Sequence, residues 1–244
     1  MDRTRADYLF IFPLKIEAAA TLKRFRARLV ARWRYGKCYR IEIRNRRVDL
    51  VIGGVSRRPI EVFHQWQRAV GISAHRSLSE YQICLLGFAG ALSAQLEQGH
   101  VRWFEELRCL DAPPIATQWN SVSRQRQGVL LTSPTMVAQQ WERLDLWGKT
   151  QADAVDMEAY WLARELQAHD QKLSCCRVIS DDGREDLPDW IVRLLEAKTK
   201  LETVQRVLEA VATHRQAARW MWKMNGLART LSQRLADEVE EVLK

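Results

Sequence analysis

The sequence predicts an α/β fold: a central mixed, mostly parallel sheet flanked by helices, followed by a helical C-terminal extension. Three observations predict it. Short continuous apolar runs such as Tyr8–Phe12 (YLFIF) and Ile83–Leu86 (ICLL) read as strands buried on both faces. They alternate with amphipathic stretches of helical period, the pattern of an α/β sheet domain. Beyond Pro188 no convincing strand remains, so residues 1–188 form the α/β domain and 189–244 a helical extension packed on it.

Taken in order, Tyr8–Phe12 is the first strand, and residues 15–31 read as a helix with Ile16, Ala19, Ala20, Leu22 and Leu29 opposite a basic face. Tyr39–Ile43 and Val48–Ile52 read as strands joined by the polar turn Arg44–Arg47, the second ending in Gly53-Gly54. Pro59 suits the first turn of a helix running to about Val70. Ile83–Leu86 closes on the glycine-rich loop Gly87–Leu92, and Gly99–Phe104 and Gly128–Thr132 are further strands. Pro134 opens a helix to about Leu144, Asp156–Ala168 is a helix after a short strand, and Leu173–Ile179 is the last strand. In the extension, Ile191, Leu194, Leu195, Leu201, Val204, Val207, Leu208 and Val211 follow a helical period across two or three helices, with Asn225-Gly226 as the break.

Composition sets the bounds. The 244 residues are long enough to bury a full core, and 47% hydrophobic residues with ten Trp belong to a folded chain. No run of about 18 apolar residues is present, arguing against a membrane span. The start MDRTRADYLFIFPLK lacks the h-region and cleavage site of a signal peptide. Five cysteines (Cys38, Cys84, Cys109, Cys175, Cys176) without CxxC spacing point to a reduced cytoplasmic setting and to no metal site. Residues 1–60 carry 16 Lys and Arg against 5 Asp and Glu, a balance of +11 within a total of +8. That segment either faces an anionic partner or is a solvated basic face.

Chemistry in open α/β folds gathers at the C-terminal ends of strands. Four segments lie there: Pro13–Glu17, Gly87–Leu92, Ala154–Ala159 and Arg177–Asp181. Singly each has a structural reading, since Glu17 in a first helical turn complements the dipole and Asp181 can cap a helix.

In series, Val155-Asp156-Met157-Glu158-Ala159, Val178-Ile179-Ser180-Asp181 and Gly87-x-Ala89-Gly90-Ala91-Leu92 followed by Gly99-His100-Val101 resemble the nucleoside phosphorylase superfamily, its nucleosidase branch in particular, over roughly residues 7–190. The resemblance implies hydrolysis of the N-glycosidic bond of a 5′-modified adenosine, without a cofactor. Asp181 would be the general acid to N7 of the base, and Glu17 would activate water. Glu158 would bind the ribose hydroxyls and Met157 would pack on the ribose, with Asp156, Ser180, Phe88, Ala89 and Gly90 completing the substrate site. Phosphorylases of this superfamily carry a Gly-rich, Arg-bearing phosphate loop after the first strand. Pro13–Glu17 replaces it here with a segment ending in a carboxylate, which favours water over phosphate. Arg57 and Arg58 remain as a possible anion contact.

Phe88 departs from the family, standing where nucleosidases often carry a small polar residue. Glu185-Asp186-Leu187-Pro188 and the basic helices beyond it resemble the hopanoid-associated branch, which implies an adenosylhopane-like lipid substrate. A methylthioadenosine or adenosylhomocysteine nucleosidase, a phosphorylase and a non-catalytic nucleoside- or membrane-binding relative are the alternatives. The segment Arg215–Met224, with Trp220, Met221, Trp222 and Met224 among Arg215, Arg219 and Lys223, fits an anionic membrane surface, a dimer seam or core. A homo-oligomer and a cytoplasmic site with peripheral contact at the inner membrane face are expected by resemblance. Nucleic-acid binding is not, since no recognised motif is present.

Overall fold

The first apolar run becomes strand β1 (Asp7–Phe12), with all six residues buried. This is seen in a computed structural model that describes residues 7–43, 46–71, 78–118, 128–188, 190–192, 209, 213, 214 and 217–244. The two-residue side-chain period sends Leu9 and Ile11 to one side of the sheet and Tyr8, Phe10 and Phe12 to the other. Each such fully buried side chain contributes about 1.5–3 kcal/mol. On β1 lie β4 (Arg46–Ile52) and β5 (Tyr81–Ala91), both parallel to it.

The described residues form one sheet of eleven strands. Beyond β4 come the antiparallel β3 (Lys37–Ile43) and β2 (Arg28–Arg32). On the other side β5 pairs in parallel with β11 (Leu173–Asp181), which carries the antiparallel β6 (Val101–Phe104). The end of β5 also meets β10 (Ala154–Asp156), followed by β9 (Val129–Thr132), β7 (Glu106–Cys109) and β8 (Ala112–Ala116). The expected mixed sheet is therefore present, its parallel pairings joining β1, β4, β5 and β11 at the centre and β10, β9 and β7 to one side.

Helices cover both faces. On the Leu9 side lie Val62, Phe63 and Trp66 of α2 (Arg58–Trp66) with Tyr160, Leu162 and Leu166 of α4 (Ala159–Gln167). On the Phe10 side lie Ala18 of α1 (Lys15–Arg24) and Leu231, Leu235, Val239 and Val242 of α5 (Ala217–Leu243). A further helix, α3 (Gln140–Thr150), follows β9.

Five expectations are corrected. The first helix ends at Arg24, Arg26 takes a left-handed φ of 49°, and 28–32 form an edge strand with Leu29 and Val30 exposed. Arg28 and Arg32 bracket these apolar residues, the kind of edge charge that opposes pairing with another strand. Gly87–Gly90 is not a loop: β5 continues through it, and Gly87 pairs with Arg177 and Gly90 with Asp181. The helix expected from Pro134 starts only at Gln140, where Glu142 accepts the N–H groups of Ala138 and Gln139. Asp156 ends β10 rather than opening a helix, and α4 begins at Ala159. Finally, α5 runs unbroken through Asn225-Gly226. An exposed helical glycine costs about 1 kcal/mol, which the buried stripe Leu231, Leu235, Val239 and Val242 outweighs.

Strands β7 and β8 escaped the sequence reading, and in β8 Pro113-Pro114 argues against a strand. On the sheet edge proline is tolerated. Of the extension's expected apolar positions, Ile191 is buried, whereas Leu194, Leu195, Leu201, Val204, Val207, Leu208 and Val211 lie outside the described residues, as does Arg215. Trp220 packs edge-on against Trp190 with ring centroids 5.3 Å apart, and Trp222 is 81% exposed. Among the described residues no helix is long and apolar enough to cross a membrane.

Candidate active site

A single arginine interrupts the apolar run of β11, and a charge there must be matched. Arg177 is fully buried, and its Nη2 donates to Asp156 Oδ2 and, at 3.4 Å, to Glu158 Oε2. Burial works against its charge, but Asp156, Glu158 and Glu17 together hold its pKa raised. Arg177 is thus the hub of the site, and the sequence reading passed over it. The available signal was one unpaired cation inside a run of buried residues.

Asp156 serves mainly the fold. Oδ1 accepts the Thr132 hydroxyl at 2.6 Å, while Oδ2 accepts the Ala159 N–H at 3.0 Å besides Arg177. It therefore caps α4 and balances Arg177, and both of its oxygens are engaged by protein donors. Glu158, one turn of chain later, has Oε1 on the Ser56 N–H at 3.0 Å. Met157 between them is half-buried.

Glu17 enters from α1. Its two readings, helix-end carboxylate and reactive group, coincide in one side chain. Oε2 accepts the Leu14 N–H at 2.6 Å, tying the first turn of α1, and Oε1 accepts the Phe88 N–H at 2.8 Å, reaching across to β5. Glycine at 87 makes this approach possible: a Cβ there would run into Arg177 Nη1 and stand 2.9 Å from Glu17 Oε1.

Three carboxylates around one guanidinium cannot all ionise freely in a buried place. Burial pushes Glu17 up to about 7, with Arg177 and the two N–H donors opposing. Burial, joined by the charge of Asp156, pushes Glu158 up to about 8, with Arg177 opposing. Both groups are therefore poised to exchange protons near neutrality.

Asp181 sits at the far end of β11, past a bulge between Ile179 and Asp181. Its Oδ1 is paired with Arg143, a buried arginine of α3 that also donates to the main-chain oxygens of Ala91 and Val137. The Ser180 hydroxyl lies 3.0 Å from Asp181 Oδ2 and 3.2 Å from the carbonyl of Ala89. A Cβ at Gly90 would meet Arg143 at 3.1 Å and Asp181 at 3.3 Å. Sequence reasoning missed Arg143, which stands in an amphipathic helix like any surface arginine.

The expected site residues thus fall into two groups. Asp156 and Glu158 bind Arg177, with Glu17 beside it and linked to the Phe88 N–H, whereas Asp181 binds Arg143, with Ser180 linking Asp181 to Ala89 and Gly90 close to both Asp181 and Arg143. In register they are separated by the step from Gly87 to Gly90, about 10 Å of strand. The two expected anion contacts are directed elsewhere. Arg57 stacks on Trp161 at 4.5 Å and Arg58 lies 6.0 Å from the Tyr35 ring. The buried thiols of Cys84 and Cys175 are pushed up to about 12, mainly by burial, and carry no nucleophilic chemistry here.

Neither a known protein family's sequence profile nor a curated protein sequence matches this chain. Solved structures do. The 5′-methylthioadenosine/S-adenosyl homocysteine nucleosidase of Campylobacter jejuni superposes with a TM-score of 0.70 at 13% identity, over 97% of this chain and 98% of that one. Futalosine hydrolase of Helicobacter pylori gives 0.70 at 13% over 98% of both. The 5′-methylthioadenosine nucleosidase of Arabidopsis thaliana gives 0.68 at 13%, over 99% and 97%. The chain has the fold of these proteins along nearly its whole length.

Proposed function

We propose that this protein hydrolyses the N-glycosidic bond of a 5′-modified adenosine and releases adenine. The observation that carries the reading is the pair of polar groups along β5 and β11, with Glu17 and Glu158 at one end and Asp181 at the other. The spacing suits a ribose and a purine laid end to end. The shared fold with enzymes named as methylthioadenosine nucleosidases and futalosine hydrolase supports the same reaction class.

In this reading positive charge grows on the ribose as the bond to adenine lengthens. Glu158 accepts from the ribose hydroxyls and offsets that charge, with Met157 against the sugar. Glu17, poised near neutrality, takes a proton from the attacking water. Asp181 delivers a proton to N7 from Oδ2, the oxygen that Arg143 does not engage, which makes adenine a neutral leaving group. Arg177 is a positioning residue, since it orients Glu158 and matches the charge of the cluster.

Water is the preferred nucleophile because the cluster around Arg177 is already rich in carboxylate, which repels phosphate. Phosphorolysis, and a role limited to binding a nucleoside or a membrane surface, are the lesser readings. The favoured 5′ substituent is lipid-like, as in adenosylhopane, which would place the protein in hopanoid biosynthesis. The support is the resemblance of residues 185–188 and the basic C-terminal part, together with exposed Trp222 beside Lys223. In that case a homo-oligomer in the cytoplasm touches the inner face of the membrane through α5. A methylthioadenosine or adenosylhomocysteine nucleosidase is the alternative.

Chromatographic detection of adenine tests the reading, with a 5′-long-alkyl adenosine and methylthioadenosine each supplied in phosphate-free buffer. Release by wild type and its loss in Asp181→Asn are expected. Release only after phosphate is added would make the protein a phosphorylase, and preference for methylthioadenosine would remove the lipid substrate. Silence under every condition would leave binding as the function.

A further inference from the structure

On the helical layer over the Leu9 face, away from the Arg177 cluster, the C-terminal ends of α2 and α4 bring three metal-ligating side chains together. His64 comes from the last turn of α2, Glu165 from the last turn of α4, and His169 from the turn just after it. Their donor atoms all lie within 4.8 Å of one another. His64 Nε2 is 3.0 Å from Glu165 Oε1, and His169 Nε2 is 3.7 Å from the same oxygen.

We propose that His64, Glu165 and His169 form a surface site for a late first-row divalent cation, Zn²⁺ in character, that clamps α2 to α4. Two imidazoles and one carboxylate are a donor set that zinc favours, with solvent as fourth ligand. In a tetrahedral site the donors stand about 3.3 Å apart, so the present spacings close on an ion with small side-chain shifts.

The surroundings of the ring fit that role. Gln67 Oε1, which can only accept, lies 3.1 Å from His64 Nδ1. With Nδ1 donating to Gln67, an ion that takes the place of the Nε2–Glu165 contact finds the Nε2 lone pair aimed at the cluster, the arrangement that orients metal-binding histidines. Phe63 packs against both rings, with centroids 5.7 Å from His64 and 6.2 Å from His169, and limits their rotation. The Glu165–His169 spacing of four places both groups on one side of the helix end.

The clamp joins the far ends of two helices whose near ends meet at the candidate active site, where the Ser56 N–H holds Glu158. An ion here stiffens that pair without taking part in chemistry, and the proposal does not depend on the reaction assigned above.

Untagged protein, stripped with chelator, is titrated with ZnCl₂ by calorimetry and thermal shift, with MgCl₂ as the contrast. One Zn²⁺ per chain and a raised Tm are expected, with no response to Mg²⁺. Co²⁺ should bind with the visible absorption of a four-coordinate N/O site. His169→Ala, Glu165→Gln and His64→Gln should each weaken Zn²⁺ affinity tenfold or more, whereas His100→Gln should leave it unchanged. Far-UV circular dichroism verifies that each variant is folded. The absence of stoichiometric binding, or binding that survives both His169→Ala and His64→Gln, would overturn the site.

Discussion

The hydroxyl of Ser232 donates to the main-chain carbonyl of Glu17 at 2.9 Å and accepts the N–H of Ala20 at 3.0 Å. A residue 215 positions away thus holds the first turns of the helix that carries the candidate base. Around it, Arg24 pairs with Asp237 at 2.7 Å and with Glu240 at 3.0 Å. The C-terminal helix is therefore a wall of the active-site helix.

Ser232→Ala removes two hydrogen bonds that tie α5 to α1, at a cost of about 0.5–1.5 kcal/mol each. Urea denaturation is expected to show a lowered midpoint with an unchanged m-value. Adenine release should fall because Glu17 loses its support, whereas the exposed Thr230→Ala should change neither.

Glu17 gives a pH signature. Its pKa is raised from 4.5 to about 7 in the fold, so the folded state keeps the proton longer than the unfolded chain. The resulting stabilisation is complete below about pH 4.5 and is lost as pH rises through about 7. Glu17→Gln cannot ionise. Its stability relative to wild type should therefore rise between pH 5 and pH 8.5, by on the order of 1–3 kcal/mol. Adenine release by this variant should drop at least 100-fold, on the scale of a lost general base (~10²–10⁴). A constant Tm gap across that range would show that Glu17 titrates normally.

Gly87→Ala drives a methyl into Arg177 Nη1. Arg177 is fully buried and has no room to yield, so soluble yield and Tm should fall sharply. Gly148→Ala is the control, because a Cβ there meets nothing within 4 Å and α3 should gain about 0.5–1 kcal/mol. Thermal melts of the two variants should move in opposite directions.

Asp181 and Arg143 separate catalysis from folding. Asp181→Asn keeps the shape but offers one acceptor where Arg143 and Ser180 each use one, so its Tm should fall, though less than that of Arg143→Met, while adenine release is lost. Arg143→Met strips donors from Ala91, Val137 and Asp181 together, and a cost of about 3–5 kcal/mol is expected. Arg143→Lys should recover little, since a point ammonium cannot serve three acceptors set for a planar fork. Full activity in Arg143→Met would show that the pair does not position Asp181.

Much of this molecule was legible in one dimension. The unbroken apolar run of β1, the strand signals of β3, β4, β9 and β11, and the placement of Glu17, Glu158 and Asp181 at strand ends all follow from local pattern, because side-chain periodicity and strand-end chemistry are properties of neighbouring residues. Which charges meet was not legible. Arg177 finds Asp156 and Glu158, Arg143 finds Asp181, and Gly87 becomes a strand residue rather than part of a loop. Gly226 stays helical for the same kind of reason: a buried stripe beyond it outweighs its own propensity. Burial decides each of these outcomes, because a charge taken out of water must find its partner and a buried apolar stripe can outweigh a glycine's own propensity, and only the tertiary structure determines where that burial happens.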